Sequence, residues 1–379
     1  MSVPAVVTPR WLCTGQEVFP AMLTAIAAAR QSIRLETYIY NDDQLGRRFR
    51  DALLAAQMRG VDVQVLVDSF GSWLLPVDFF EMLVAAGAEV KFFNPLRLWR
   101  FGVRNHRKLL VCDDGAAFVG GFNLADEYAG DGVTSGWCDI GVRLEGTPVL
   151  ELAASFDELF ALADFNRRPL LRLRPFKVRR RPAAAPGAQL LLSRPGRGAS
   201  PIQRALHHDL SSARDVQIIT AYFLPTRKLR RDLIRVVKGG GRVRLILAGQ
   251  SDVLVSQLAG RSLYRRLLRA GVEIYEYQPQ ILHAKLFISD NAAYVGSANL
   301  DVRSLNLNYE LMLRFEDVTV AAGARAVFER TLRHCRRIEL AGWRESQTLW
   351  QRFHQHWAHF LVARVDQYVA LRQFRAVRR

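Results

Sequence analysis

Two octets carry reactive residue types in one order: HRKLLVCD at 106–113 and HAKLFISD at 283–290, 177 residues apart (283 minus 106). In an extended strand, residues two apart project from the same face. His106 therefore shares a face with Lys108, and His283 with Lys285. An imidazole beside an ammonium suits a phosphate: the ring attacks phosphorus or moves a proton, and the ammonium offsets the charge. Asp113 and Asp290 have the opposite parity and fall at the turn, as turn formers or ion-pair partners rather than reacting groups. One such His-Lys pair would be an ordinary exposed strand face. Two, at matching places in a repeated chain, point to a site.

The repeat reaches well beyond the octets. ARQSIRLETYIY (29–40) aligns with ARDVQIITAYFL (213–224), RGVDVQVLVD (59–68) with GGRVRLILAG (240–249), and AGAEVKFFNP (86–95) with AGVEIYEYQP (270–279). AAFVGGFN (116–123) and AAYVGSAN (292–299) follow the octets. The first copy has seven extra residues before its histidine, within LRLWRFGVRN (96–105). In each copy strand and helix alternate: strand near 32–40, helix near 45–58, strand near 62–68, helix near 77–86, strand near 89–94, then a hairpin turning at CDDG or SDN. This order predicts an α/β fold of two duplicated domains, each a mixed, mostly parallel sheet flanked by helices. The expected boundaries are 1–165 and 201–340, joined by a surface linker at 166–200 rich in Pro, Gly and Arg and followed by a tail at 341–379.

The octets, with GGFN and GSAN behind them, resemble the phospholipase D superfamily, whose signature is HxKxxxxD followed by GxxN- or GSxN-like residues. The likeness runs from about residue 16 to 340, and the second copy is nearer the pattern. The first has Gly121 where the second has Ser297, and one extra residue between Asp113 and Gly120. Within the superfamily, LETYIYNDDQLG and SANLDVRSLNLNYEL look like bacterial cardiolipin synthases. The resemblance implies pseudo-twofold symmetry, one active site between the halves, and phosphatidyl transfer through a covalent phosphohistidine. The catalytic set it implies is His106, Lys108, Asp113, His283, Lys285 and Asp290. His106, in the N-terminal copy, would be the nucleophile. His283 would protonate the departing glycerol and later deprotonate the incoming hydroxyl. Asn123, Asn299 and Ser297, with the lysines, would hold the phosphoryl oxygens. Glu310 matches the family's acidic position, and Asp139 sits comparably after His106. These two would orient the imidazoles, unless they are ordinary surface carboxylates.

Composition narrows the partner without naming it. The chain has 379 residues, a net charge of +17 and 50% hydrophobic residues. Such a balance favours an anionic partner: a phospholipid surface, a phosphorylated substrate or nucleic acid. No apolar run reaches the ~18–20 residues of a membrane span, and MSVPAVVTPRWLC does not read as a signal peptide. A peripheral enzyme on the cytoplasmic face of a bacterial inner membrane is therefore expected. The four cysteines lack metal-ligand spacing and no carboxylates bunch, so neither metal nor cofactor is expected. Apolar stretches favour lipid over nucleic acid. LRLWRFG either lines an acyl groove or packs on the domain, SWLLPVDFF (72–80) is unusually apolar for a loop, and the Arg-rich 167–181 could meet headgroups. In the tail, Trp343, Trp350 and Trp357 recur every seven residues among seven arginines, as in an interfacial helix or one folded back on the core. A nuclease, a hydrolytic phospholipase and a non-catalytic lipid scaffold remain as rival readings.

Overall fold

The computed structural model describes residues 8–94, 103–163, 187–196, 198–345 and 349–360. Its first half runs β1 (Arg10–Leu12), α1 (Gly15–Ala28), β2 (Ser32–Thr37), α2 (Gln44–Met58), β3 (Asp62–Asp68), α3 (Glu81–Ala85), β4 (Glu89–Phe93), β5 (Leu109–Cys112), β6 (Ala116–Gly120), β7 (Gly141–Glu145) and α4 (Thr147–Leu162). The second half begins β8 (Ala188–Ser193), α5 (Pro201–Ser212), β9 (Asp215–Thr220), β10 (Phe223–Leu224), α6 (Arg227–Lys238), β11 (Arg242–Ala248), α7 (Leu254–Arg261) and α8 (Tyr264–Arg269). It continues β12 (Glu273–Tyr277), β13 (Lys285–Ser289), β14 (Ala292–Gly296), β15 (Leu300–Asp301), α9 (Val302–Asn306), β16 (Glu310–Glu316), α10 (Val318–Leu332), β17 (Cys335–Ile338), α11 (Leu340–Glu345) and α12 (Leu349–Phe360).

Local chemistry sets these elements. Asp43 caps α2 by accepting from the Gly46 amide, and Leu45, Phe49, Leu53 and Ala56 recur on its buried face. Gly60 (φ 88°) then turns the chain into β3, whose alternate valines enter the core. The octets end in left-handed turns, with φ 52° at Asp113 and 47° at Asp290.

The sheet orders are β1-β7-β6-β5-β2-β3-β4 and β17-β12-β11-β9-β13-β14-β16-β8. Seven strands correspond: β1, β2, β3, β4, β5, β6 and β7 to β8, β9, β11, β12, β13, β14 and β16. The sheets are mixed but not mostly parallel. Within these two sheets parallel pairing is confined to β2-β3-β4 and β9-β11-β12, because the octet hairpins and the strand after each return antiparallel, while β10 and β15 form a separate parallel pair.

The linker expected at 166–200 is shorter than its composition suggested. Ala188–Ser193 is strand β8, antiparallel to β16, as β1 is to β7. AQLLLS is apolar enough to join the sheet, and Ser200 with Gln203 already forms the capping box of α5. The Arg-rich 167–181 and the insertion at 96–102 lie outside the described residues.

α4 and α10 contribute to one apolar cluster that joins inward faces of both sheets, including Phe156, Phe328, Ile219 and Val119. The other helices cover the outer faces, as with α1 and α2 on the first sheet and α5 and α6 on the second. In the tail, α12 packs on α7 with Gln355 and Ala358 buried, and the Trp343 ring lies 4.9 Å from that of Tyr264. The tail through Phe360 is therefore folded back on the second half, while Trp350, Trp357 and Phe360 stay exposed. Residues 361–379 lie outside the described residues. No helix among the described residues is long and apolar enough to cross a membrane.

Candidate active site

The two histidines reach one cavity because each motif segment is hydrogen-bonded to the opposite half. The His106 amide donates to the Tyr309 carbonyl at 2.9 Å, and the His283 amide to that of Cys138 at 2.8 Å. Parallel bridges Asn105–Tyr309 and Cys138–Leu282 complete this exchange. The residue after each acceptor is a carboxylate, so the pairs cross. His106 Nδ1 meets Glu310 Oε2 at 3.1 Å, and His283 Nδ1 meets Asp139 Oδ2 at 2.6 Å. Asp139 and Glu310 are fully buried, which removes the surface-carboxylate reading, and each serves the histidine of the other half. Holding Nδ1 leaves Nε2 of His106 for chemistry, while Nε2 of His283 also lies 3.1 Å from Lys285 Nζ.

Both imidazoles line a cavity of about 720 Å³ together with Tyr38, Tyr222, Arg104 and Arg303. Lys108 and Lys285, two residues after the histidines, are almost wholly buried. Lys108 Nζ donates to the His106 carbonyl at 2.8 Å. Lys285 Nζ donates to the His283 carbonyl and lies 2.7 Å from His283 Nδ1, so imidazole, carboxylate and ammonium form one cluster there. The Tyr38 ring lies 4.9 Å from His106, and Tyr128 and Trp137 lie 5.3 Å and 5.7 Å from His283.

Burial governs the protonation states. It lowers His106 to about 4 against the pull of Glu310, and it lowers His283 further below the ordinary range with help from Lys285. Both rings are thus neutral at rest, the form a nucleophile needs. Burial lowers Lys108 to about 7, with Lys285 adding repulsion, and lowers Lys285 to about 8. Asp139 rises to about 7 by burial, partly offset by Lys285, so the Asp139–His283 pair keeps a proton near neutrality. Burial also pushes Glu310 up, but His106, Lys108 and Ser297 together outweigh it and hold it ionised.

The remaining expected residues divide. Asp113 accepts from the amides of Arg30, Gln31 and Ser32, and Asp290 from those of Arg214 and Asp215. Both carboxylates are thus occupied by backbone amides and close the hairpins onto the preceding helix ends, and among the described residues neither forms an ion pair. Ser297 points away from the cavity lining. Its hydroxyl donates to Glu310 Oε2 at 2.5 Å and accepts from the Leu311 amide. Its counterpart Gly121 has no room for a side chain, since a Cβ would stand 2.1 Å from Asp139 Oδ1. Asn123 lines the cavity, but its carbonyl accepts from the Ile39 amide and its amide donates to the Tyr128 hydroxyl. Asn299 also lines the cavity, and its buried Oδ1 has no hydrogen-bond partner.

Sequence reasoning missed the anchors behind His106. Asn105 donates to Glu36 at 2.7 Å, Arg107 pairs with Glu36 at 3.1 Å, and Asp68 accepts from the Asn105 amide at 2.7 Å. It also missed Tyr38, Tyr222 and Asp252, although the aligned stretches 29–40 and 213–224 already match the tyrosines. Among the described residues, no group of three or more His, Cys, Asp or Glu could hold a metal ion.

Two mirrored His-Lys motifs on a duplicated sheet, sharing one cavity, define the phospholipase D superfamily. The chain belongs to its cardiolipin synthase family: the family model "Cardiolipin synthase, PLD-like domain" matches residues 22–160 and 206–332. It is 32% identical to cardiolipin synthase 1 of Bacillus anthracis over 344 residues, 88% of this chain and 68% of that protein. It is 35% identical to cardiolipin synthase B of Escherichia coli (strain K12) over 313 residues, 80% of this chain and 75% of that protein. In fold it is similar to phosphatidylserine synthase of Haemophilus influenzae Rd KW20, with a TM-score of 0.75 at 14% identity over 96% of this chain and 95% of that one.

Proposed function

We propose that the chain is a phosphatidyl transferase that makes cardiolipin from phosphatidylglycerol and a second phospholipid. The observation that carries this reading is the crossed pairing, which brings two neutral, oriented imidazoles to one cavity. His106 Nε2 attacks phosphorus while the bond to the glycerol oxygen breaks. The Asp139–His283 pair gives its proton to that oxygen, and glycerol leaves. A hydroxyl of the second lipid then attacks phosphorus as His283 takes its proton, the phosphorus–nitrogen bond breaks, and His106 is restored. Lys108 and Lys285 offset the charge of the phosphoryl oxygens throughout.

The protein meets its substrates at the cytoplasmic membrane surface. The segments after the equivalent strands β3 and β11 support this: the loop after β3 exposes Trp73, Leu74 and Val77, and the turn into α7 exposes Val253, Leu254 and Val255. Phe70 and Val253 belong to the cavity wall, so these loops rim its mouth. Purified protein incubated with phosphatidylglycerol vesicles should yield cardiolipin and free glycerol. Phosphatidic acid as the sole lipid product would make it a hydrolase, and cut DNA with untouched lipid a nuclease.

A further inference from the structure

The duplication that builds the cavity leaves its two walls chemically unequal. Tyr38 and Tyr222 occupy matching positions in the repeat, and both line the cavity. Tyr38 accepts from Arg104 Nη1 at 3.3 Å, and that guanidinium lies 4.0 Å over the Phe70 ring. The Tyr222 hydroxyl instead meets both carboxylate oxygens of Asp252 at 2.7 Å. One tyrosine thus stands with a cation and its mate with an anion.

Asn123 and Asn299 repeat the inequality. Both ends of the Asn123 amide are engaged by protein. Asn299, 2% exposed, presents a carbonyl oxygen without a donor to the same cavity. A buried acceptor without a partner is costly and is satisfied when a ligand supplies the donor. Asp252 also acts electrostatically on His283 and Lys285, favouring their protonated forms, so it belongs to the His283 side.

We propose that Asp252, braced by Tyr222, and the Asn299 carbonyl form a subsite for the hydroxyls of an uncharged polyol headgroup, with glycerol the fitting case. This deepens the transferase reading and rests on it. The same subsite holds glycerol as it leaves the donor and the glycerol end of the acceptor as it attacks. One hydroxyl faces phosphorus and gives its proton to His283; its neighbour donates to Asp252 or Asn299. In the second step the new phosphorus–oxygen bond forms as the bond to His106 breaks. Hydroxyls suit acceptors that stand among cations, whereas an ammonium headgroup would add positive charge beside Lys108 and Lys285.

The test is acceptor competition with the full chain. Phosphatidylglycerol in detergent micelles is given deuterated glycerol and ethanolamine at equal concentration. Deuterated phosphatidylglycerol, phosphatidylethanolamine and phosphatidic acid are then quantified. Wild type should favour glycerol over ethanolamine. Asp252→Asn and Asp252→Ala should lower the ratio of glycerol product to phosphatidic acid about tenfold or more, and raise the KM for glycerol more than they change kcat. Asp252 is exposed at the rim, so its loss should leave the melting temperature unchanged. Tyr222→Phe should lower the ratio less, because it removes only the brace. An unchanged ratio in the folded Asp252 variants, or a wild type that prefers ethanolamine, would overturn the subsite. Phosphatidic acid alone from wild type, with no alcohol accepted, would instead overturn the transferase reading beneath it.

Discussion

His106 Nδ1 and Glu310 Oε2 stand 3.1 Å apart although 204 residues separate them in the chain. With the His283–Asp139 contact it makes neither half complete without the other. Glu310→Gln should therefore slow formation of the phosphoenzyme at His106, and Asp139→Asn should slow the proton transfers of His283. Each should cost about 100-fold or more in kcat, the usual range for general acid–base groups. Rapid-quench kinetics separates the two steps. Carboxylates that served their own halves would give the reverse assignment.

The pH dependence follows from the buried cations. His106, lowered to about 4, stays a neutral nucleophile above that pH. Lys108 and the Asp139–His283 pair lose protons near 7, and Lys285 near 8. A kcat/KM profile, which reports the free protein, should therefore fall as pH rises through 7 to 8 and fall again towards 4. A profile still rising at pH 9 would contradict this ordering.

Burying Lys108 next to Lys285 disfavours its charged form, so the folded protein binds its proton less tightly than the unfolded chain does. Between pH 7 and the ordinary lysine value of 10.5, the unfolded chain holds more protons, and stability from this group rises with pH. Lys108→Met should abolish turnover yet raise the melting temperature. The gain should be larger at pH 7 than at pH 9 and amount to about 1–4 kcal/mol. Scanning calorimetry at both values checks it.

Asp113 illustrates how much of the site the sequence disclosed. Strand parity separates it from His106 and Lys108, and the structure puts it at a left-handed turn collecting three amides. The octets, the repeat and the five strands β2 to β6 with their counterparts were equally legible, because periodicity and turn chemistry are local signals, whereas β7 and β16 were not foreseen. Ser297 was not. Its spacing suits a phosphate, yet its hydroxyl bonds Glu310 on the neighbouring strand β16. The crossing of the carboxylates was hidden for the same reason, since each depends on a bridge between halves. Glu36 and Asn105 escaped because Thr220 and Leu282 stand in their places in the second copy, so the repeat does not announce them.

Because Asp113 and Asp290 hold backbone amides, Asp113→Ala and Asp290→Ala should each destabilise the fold by about 1–3 kcal/mol. Turnover per folded molecule should stay near wild type. Urea titration beside active-site counting distinguishes this from a chemical role, in which turnover would vanish with the fold intact.

The rim loops call for a separate measurement. Replacing Trp73, Leu74 and Val77 by serine should weaken flotation with anionic vesicles while sparing turnover of a short-chain, detergent-dispersed substrate. Unchanged flotation would shift attention to the exposed Trp350 and Trp357 on α12.

The central claim is one shared site in which His106 carries the phosphatidyl group. Quench in detergent at mildly alkaline pH, which preserves a phosphorus–nitrogen bond, with phosphatidylglycerol labelled in its phosphate, followed by peptide mapping at the same pH, tests it most directly. Label should appear on His106 alone in wild type and be absent from His106→Ala, and His283→Ala, which lacks the acid of the first step and the base of the second, should gain and lose it slowly. Label on His283 in wild type, or half of the wild-type activity surviving in either single variant, would contradict a single site served by both halves.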